Sequence, residues 1–537
     1  MGQDDDLGLS RRQLLAGASG VAALTALGLP RRAAATAAAG SDLGAIEHVV
    51  FLMMENRSYD HYFGTYPRGR GFDDHPPHRL GSFAQAYPKG GQLDPPDVLL
   101  PFRLTRPADE CTKDLTHNWG PMHQCWNHGR MDSFVRVHTS AAHEGNPTGA
   151  LTMGYYTREE LGFYYSLADH FTLADGYFCS ILGPTHPNRV MSVSGTIDPA
   201  GQHGGPITDT DPDPRVRWTC DWPTVQELLE DKGVSWKVYH PSNADLATLG
   251  ADATKFADLA AYPIWNPALY DPTANPTVML STDNVLPYFK AFENPSTSLY
   301  RKAFLPTFPA DFINDVKAGS LPRVSWLIPP LSFDEHASAS PDHGMWFTSA
   351  VLEALADNPK VWSKTVLFLM YDENDGMFDH VPPPTPPKGT PGEWLTAPSI
   401  SNTTSGIRGP LGLGVRVPLL VISPFSRGGH IASETFDHTS QLKFLEERFD
   451  IRIPDISAWR RRTVGDLTST LFRSRPNASM PALHPAPALG APTFTGPCAE
   501  QNQETEFVGG SDPTLPRKQR MPTQDGRTVS PRRFKDV

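Results

Sequence analysis

Cysteine is scarce in this 537-residue chain, and no two of its five cysteines form a C-x-x-C pair. A zinc ribbon or a thioredoxin-type redox centre is therefore not expected. One or two disulfides would suit an exported protein, and an odd count leaves at least one thiol over. Basic charge is also short. Lys and Arg number 47 against 59 Asp and Glu, a formal net charge of -12. Nucleic acid, bound mainly by neutralising phosphates, is not an expected partner. Nor is there a basic block to hold the chain on an anionic membrane. Past the N-terminal region no apolar run is long enough to span a bilayer. The common catalytic signatures G-x-S-x-G, H-E-x-x-H and G-x-x-x-x-G-K are missing, and no internal repeat occurs.

Proline, by contrast, is abundant. The 53 prolines are roughly double the usual share. They argue against a helical bundle or coiled coil, because proline removes a helix donor and clashes with the preceding turn. Apolar residues at 39% and charged residues at 20% mark a globular chain. The length suits about three domains, or one large α/β domain with insertions.

The N-terminus reads as an export signal. Ser10-Arg11-Arg12-Gln13-Leu14-Leu15 is a twin-arginine sequence, followed by a mildly apolar stretch from Leu14 to Leu29 and an alanine-rich run from Ala33 to Ala39. A charged region, an apolar region and a small-residue cleavage zone stand in the right order. Residues 1–40 are thus expected to be a signal peptide. The segment carries four arginines against three aspartates, so the chain without it sits at -13.

Five short apolar runs have the length and β-branched content of sheet-core strands: 46–54, Val234–Tyr239, Val324–Ile328, Val366–Tyr371 and Val417–Ile422. Helix-like stretches lie between them, at Thr224–Leu229, Met345–Ala356 and Gln441–Phe449. Strands alternating with helices predict an α/β fold, with a mostly parallel sheet covered on both faces. The catalytic domain is expected over 41–475, with 200–320 as an irregular insertion or cap. Residues 476–498 read as a Pro/Ala-rich linker and 499–537 as a disordered tail.

Three polar segments follow these runs. Glu55-Asn56-Arg57-Ser58-Tyr59-Asp60-His61 stands directly behind a buried strand, where polar groups need partners. A divalent cation would satisfy Glu55 and Asn56 together, and a capped turn explains them equally well. In Gly183-Pro184-Thr185-His186-Pro187-Asn188-Arg189, the prolines predict a stiff turn that fixes the Thr185 hydroxyl. Thr185 can then serve as a nucleophile if a metal or base lowers its pKa, although a purely structural turn reads at least as well. Asp372-Glu373-Asn374-Asp375-Gly376 puts adjacent carboxylates at a strand end, where they repel unless a cation separates them. Oxygen ligands suit Ca²⁺, Mg²⁺ or Mn²⁺, and Zn²⁺ accepts them. His117, His123, His336 and His343 lie in similarly polar segments and suit phosphate binding or proton transfer. Asp437-His438-Thr439-Ser440 reads as the cap of the following helix.

Taken together these segments resemble the bacterial phosphoesterase family that contains the non-zinc phospholipases C and a branch of acid phosphatases. The likeness is carried by Ile46–Val50 with Met54–Gly64, by Gly183–Arg189, by Asp372–Gly376 with Phe378–Val381, and by Asp437–Ser440. It spans about 46–450, and a twin-arginine signal is usual in the family. The resemblance implies an alkaline-phosphatase-like α/β/α sandwich. It implies one divalent metal (Ca, Mn, Mg or Zn) on Glu55, Asn56, Asp372, Glu373 and Thr185, with Thr185 as nucleophile. It places His117 and His336 around the phosphate and matches His186 and His343 less closely. His336 and His117 are expected to be catalytic, and His186, His343 and Asn188 to bind the substrate phosphate. Threonine at the nucleophile is similar to the phospholipases, whereas the phosphatase branch tends to carry serine. The larger haemolytic relatives carry extra C-terminal domains, and this chain is similar to the shorter type.

The expectation is therefore a secreted or cell-envelope phospholipase C exported by the twin-arginine machinery. It would hydrolyse phosphatidylcholine-type lipids at a membrane or micelle surface to diacylglycerol and phosphocholine. The alternatives are an acid phosphatase with the same site and a non-catalytic, metal-stabilised envelope binding protein.

Overall fold

The computed structural model describes residues 42–529 apart from 77–78, 89–91, 106–111, 140–148, 211–217, 242–282, 331–332, 337–338, 474 and 490–512. The signal segment, Cys111 and Cys498 lie outside the described residues. Cys125, Cys179 and Cys220 are buried free thiols.

All five apolar runs become strands of one eight-stranded sheet. Its members are β1 (His48–Met54), β2 (Thr172–Ala174), β3 (Trp236–Pro241), β4 (Thr307–Phe308), β5 (Val324–Leu327), β6 (Thr365–Tyr371), β7 (Leu419–Ile422) and β8 (Ile431–Ala432). The spatial order is β8-β2-β7-β6-β1-β5-β3-β4. Only β7 runs antiparallel to its neighbours; the other pairs are parallel. Val49 to Met54 are all buried, as a central strand covered on both faces requires. This is the mostly parallel α/β architecture that the alternation of strands and helices predicts. The register matters most for function. Met54 lies opposite Tyr371, so the chain leaves β1 and β6 at the same level, with Glu55 beside Asp372.

The helices that bear on the site are α1 (Tyr59–Phe63), α2 (Trp119–Trp126), α3 (Gly162–His170), α4 (Thr185–Ser194), α5 (Val225–Asp231), α6 (Pro341–Asp357) and α7 (His438–Phe449). Helix α6 starts four residues before its apolar pattern does, because Ser340 caps it and Pro341 fills the first position. Asp437 and Ser440 form a reciprocal capping box on α7, as expected of that segment. The stiff turn expected at 183–189 is corrected: Thr185 opens helix α4, with Pro184 as N-cap. Pro187 falls in the first turn, where its missing N–H costs no intrahelical bond. No helix among the described residues is long and apolar enough to cross a membrane.

Two boundaries are corrected as well. β3 and β4 are members of the central sheet, so 200–320 is partly framework. The expected linker and tail also fold back in part. The Trp362 indole donates to Ala478 O at 2.9 Å. Residues 521–529 form a small hairpin, preceded by the buried Gln519, whose amide nitrogen donates to Val98 O at 2.7 Å. The side-chain amide of Gln524 bonds Tyr66 O and Gly69 O.

Behind the site lies a buried ionic cluster. Arg416, with no exposure, grips Asp379 through two nitrogens at 2.9 and 3.0 Å and reaches Asp60 at 3.1 Å. Its guanidinium sits 4.4 Å over the Tyr59 ring. His380 Nδ1 meets Asp60 Oδ2 at 2.7 Å, and its Nε2 faces Asp74 at 3.5 Å. Burial alone would lower the His380 pKa, but Asp60 and Asp74 carry it above the ordinary value. A raised folded-state pKa stabilises fully below the unfolded value of about 6.5 and is lost as pH rises through the folded value. His380→Asn is thus expected to lose most stability below about pH 6 and progressively less as pH rises. Urea unfolding of both proteins across pH checks this; a gap that widens with pH overturns it.

Candidate active site

The aligned ends of β1 and β6 bring Glu55, Asp372 and Glu373 together. One oxygen from each lies within 4.8 Å of the others, and all three are buried. Asn56 follows in the left-handed region, at φ 60°. That turn lets its N–H donate to Asp372 Oδ1 at 3.2 Å and its amide nitrogen to Asp375 Oδ1 at 3.3 Å. Its own Oδ1 accepts no hydrogen bond, nor does Glu373 Oε1. Burial, and then the Asp283 and Asp372 carboxylates, hold Glu55 well above the usual carboxylate range. Burial pushes Glu373 up to about 8, opposed by His117. Crowded buried carboxylates with orphaned oxygens are costly as they stand. Donor type, spacing and the two oxygens without a hydrogen bond fit a divalent cation. Glu55, Asn56, Asp372 and Glu373 would hold it, with Thr185 beside them.

Thr185 enters from α4. Its Oγ1 donates to Glu55 Oε2 at 3.1 Å, and the side chain is almost fully buried. At the first position of a ten-residue helix it lies where the helix dipole favours negative charge. One turn on, Arg189 donates to Glu55 Oε1 at 2.7 Å and to Asp372 Oδ2 at 3.3 Å, and pairs with Asp283 at 3.3 Å. The residue types alone did not single out Arg189. Its sequence signal was the i, i+4 spacing from Thr185, which means something only once the segment is a helix.

The histidines divide. His117 and His336 face each other across the site, with ring centroids 6.2 Å apart. Asp114 joins them within 4.8 Å. His117 Nδ1 meets Asp375 Oδ1 at 3.2 Å, and its Nε2 lies 3.8 Å from Glu373. Burial pulls its pKa down, but Glu373, Asp375 and Asp114 outweigh burial and hold it well above the ordinary value. Burial lowers His336; its N–H donates to Asp334 Oδ1 at 2.8 Å. His186 is bonded to the Tyr288 hydroxyl at 2.8 Å, and burial lowers it to about 3. His343 stacks on Phe333 at 5.2 Å, in the first turn of α6. Asn188 is a correction. It is fully buried, its carbonyl accepts from Ile181 N–H at 2.8 Å, and its NH₂ donates to Gly183 O and Pro184 O. Those bonds spend its amide on shaping the loop before Thr185, leaving none for substrate.

His438 serves the site from behind. Its Nε2–H donates to Asp372 O at 2.6 Å, while Nδ1 accepts from the Tyr177 hydroxyl at 2.8 Å. Sequence reasoning saw only the cap in this segment and missed the carbonyl contact.

The chain as a whole is similar to several known phospholipases C. Phospholipase C B of Mycobacterium tuberculosis is 44% identical over 450 residues, covering 82% of this chain and 80% of that protein. Phospholipase C A of the same organism is 40% identical over 538 residues, covering 97% and 96%. The non-hemolytic phospholipase C of Burkholderia pseudomallei is 37% identical over 535 residues, covering 96% and 70%. Among solved structures, an alkaline phosphatase superfamily protein from Vibrio parahaemolyticus is similar, with 10% identity, a TM-score of 0.28, and coverage of 57% of this chain and 63% of that one. That score is too low to add to what the sheet order shows. The Phosphoesterase family model matches residues 46–452, and the chain belongs to the Phosphoesterase family.

Proposed function

We propose that this enzyme is a phosphoric diester hydrolase of the phospholipase C type, with Thr185 as its nucleophile. The observation that carries the reading is the Thr185 hydroxyl, at the N-terminus of α4, aimed at Glu55 Oε2. The relatives named phospholipase C support the reaction class. A divalent cation bound by the carboxylates lowers the pKa of a hydroxyl and offsets charge on phosphoryl oxygens.

The chain's own groups supply the rest. Thr185 Oγ1 attacks phosphorus in line and passes its proton to Glu55 Oε2. The bond from phosphorus to the diacylglycerol oxygen breaks, and the His336 imidazolium gives that oxygen its proton. Burial disfavours a charged His336, and an anionic phosphodiester beside it reverses that bias. His117, raised by its carboxylate neighbours, presents positive charge to the phosphoryl group. In the second step water attacks the phosphothreonine and its proton goes to His336. Thr185 leaves with the proton held on Glu55. Phosphocholine and diacylglycerol are the products.

The same groups could serve a phosphomonoesterase, so the deciding experiment is product analysis. Purified protein is offered phosphatidylcholine and a simple phosphomonoester, each with and without chelator. Chelator-sensitive release of diacylglycerol and phosphocholine is expected. Inorganic phosphate from the monoester alone would assign the phosphatase activity instead, and no turnover of either would favour a binding protein. The twin-arginine sequence at Ser10–Leu15 supports export to the cell envelope or beyond.

A further inference from the structure

We infer that Glu335 is a positioning residue that aims His336, through a carboxylate junction with Tyr62, Tyr164 and Tyr371; this rests on the reading of His336 as proton donor. Glu335 is fully buried and has no place in the chemistry described above. Its Oε2 accepts from the Tyr62 hydroxyl at 2.5 Å and the Tyr371 hydroxyl at 2.9 Å, and its Oε1 accepts from the Tyr164 hydroxyl. The three phenols come from three separate elements. Tyr62 is on α1, directly after the segment that carries Glu55 and Asn56. Tyr371 ends β6, one residue before Asp372. Tyr164 is on α3.

The backbone is pinned as firmly as the side chain. Glu335 has φ +71°, uncommon for a residue with a Cβ. Arg57 Nε donates to its carbonyl at 2.9 Å, and Arg57 Nη2 to Ala339 O at 3.1 Å. On the other side, Asp334 O accepts from Glu55 N–H at 2.7 Å. Helix α6 makes room for the carboxylate with a glycine, since a Cβ at Gly344 would fall 1.8 Å from Glu335 Oε1. His336 is therefore delivered by a turn fixed to both strand ends that supply the carboxylates.

A buried carboxylate is an expensive way to fill a gap between aromatic rings, and an apolar side chain would do it at lower cost. What the carboxylate adds is direction. Three hydroxyls converge on one group and hold α1, α3 and β6 in one arrangement around the residue preceding His336. A satisfied network of this kind sets geometry to a fraction of an ångström, and proton transfer to a leaving oxygen depends on such geometry.

The test uses the dependence on leaving group. Full-length enzyme with its metal is assayed on phosphatidylcholine, whose alkoxide needs a proton to depart. It is assayed in parallel on p-nitrophenylphosphocholine, whose leaving group does not. Both substrates leave the same phosphothreonine, whose hydrolysis also uses His336, so the rate read throughout is that of first leaving-group release in a single turnover. Glu335→Gln is expected to lower that rate on the lipid about 10- to 100-fold, with far less loss on the p-nitrophenyl ester. The double variant with His336→Asn is expected to be no slower than His336→Asn alone. Tyr164→Phe, which removes one phenol and keeps the packing, is expected to show the same pattern more weakly, and it serves if Glu335→Gln does not fold. Equal losses on both substrates, or losses that add to those of His336→Asn, would make Glu335 a plain structural residue and overturn the inference. If His336→Asn itself loses both substrates alike, the proton-donor reading fails and the inference falls with it. That outcome is told apart from the first because it appears in the single His336 variant.

Discussion

Thr185→Ala should abolish turnover of phosphatidylcholine while leaving most of the bound metal in place. The hydroxyl is the only reacting group that α4 supplies, and Glu55 is already oriented to receive its proton at 3.1 Å. Loss of a nucleophile in a preorganised hydrolase costs about 10⁴-fold or more, and 10⁴ corresponds to about 5.5 kcal/mol of barrier. The carboxylates and Asn56 arrive from β1 and β6 rather than from α4, so a cation would keep those ligands. Metal content measured on the dialysed variant should stay close to that of the parent. Thr185→Ser is the companion variant. It keeps the oxygen at the same helix position and loses only the methyl group that stiffens χ1, so it should retain activity within about tenfold. Near-normal activity in Thr185→Ala would remove the threonine from the mechanism. Loss of activity together with loss of metal would instead make Thr185 a ligand first.

The sequence disclosed the frame of this site better than its interior. Five apolar runs mark the strands because a sheet buried on both faces needs near-continuous apolar residues. The polar segments behind two of them are conspicuous because each apolar run breaks off abruptly into charged and amide residues. The pairing of β1 with β6, which puts Glu55 beside Asp372, lies more than 300 residues away in sequence and shows only in the register. Arg189 stayed hidden because Pro184 and Pro187 disguise a helix start as a turn. The tyrosines around Glu335 are scattered over 62, 164 and 371, and no local pattern joins them. Asn188 misled in the opposite sense. A polar residue near a nucleophile reads as a substrate contact, yet here it satisfies loop backbone groups that burial would otherwise leave unpaired. Hairpin residues 521–529 were missed because they have no apolar period. They dock through the buried Met521 and through Gln524, helped by the preceding Gln519, both glutamines bonded to backbone.

The largest loss of stability is expected from Arg416→Met. The substitution roughly keeps the side-chain volume and its contact with the Tyr59 ring, and removes only the charge. It leaves Asp379 and Asp60 buried with no counter-charge other than His380, and strips donors from Arg70 O and Asp175 O. Removing one partner of a buried ion pair costs about 3–5 kcal/mol, mainly because the abandoned carboxylates stay desolvated. A fall in melting temperature of roughly 3–5 °C follows from the size scaling. Adding Asp379→Asn should recover part of it, since the abandoned charge causes the cost. That recovery separates an electrostatic role from a packing role, in which the double variant would be worse still. Asp379 is seven residues beyond Asp372 on the loop that leaves β6, and Asp60 is five beyond Glu55 on α1. The cluster therefore ties together the two segments that carry the carboxylates. Metal affinity in Arg416→Met should fall at temperatures where the fold is still intact, read as a higher metal concentration for half-maximal activity. An unchanged metal requirement in the folded variant would show that the β1 and β6 ends hold their register without the clamp.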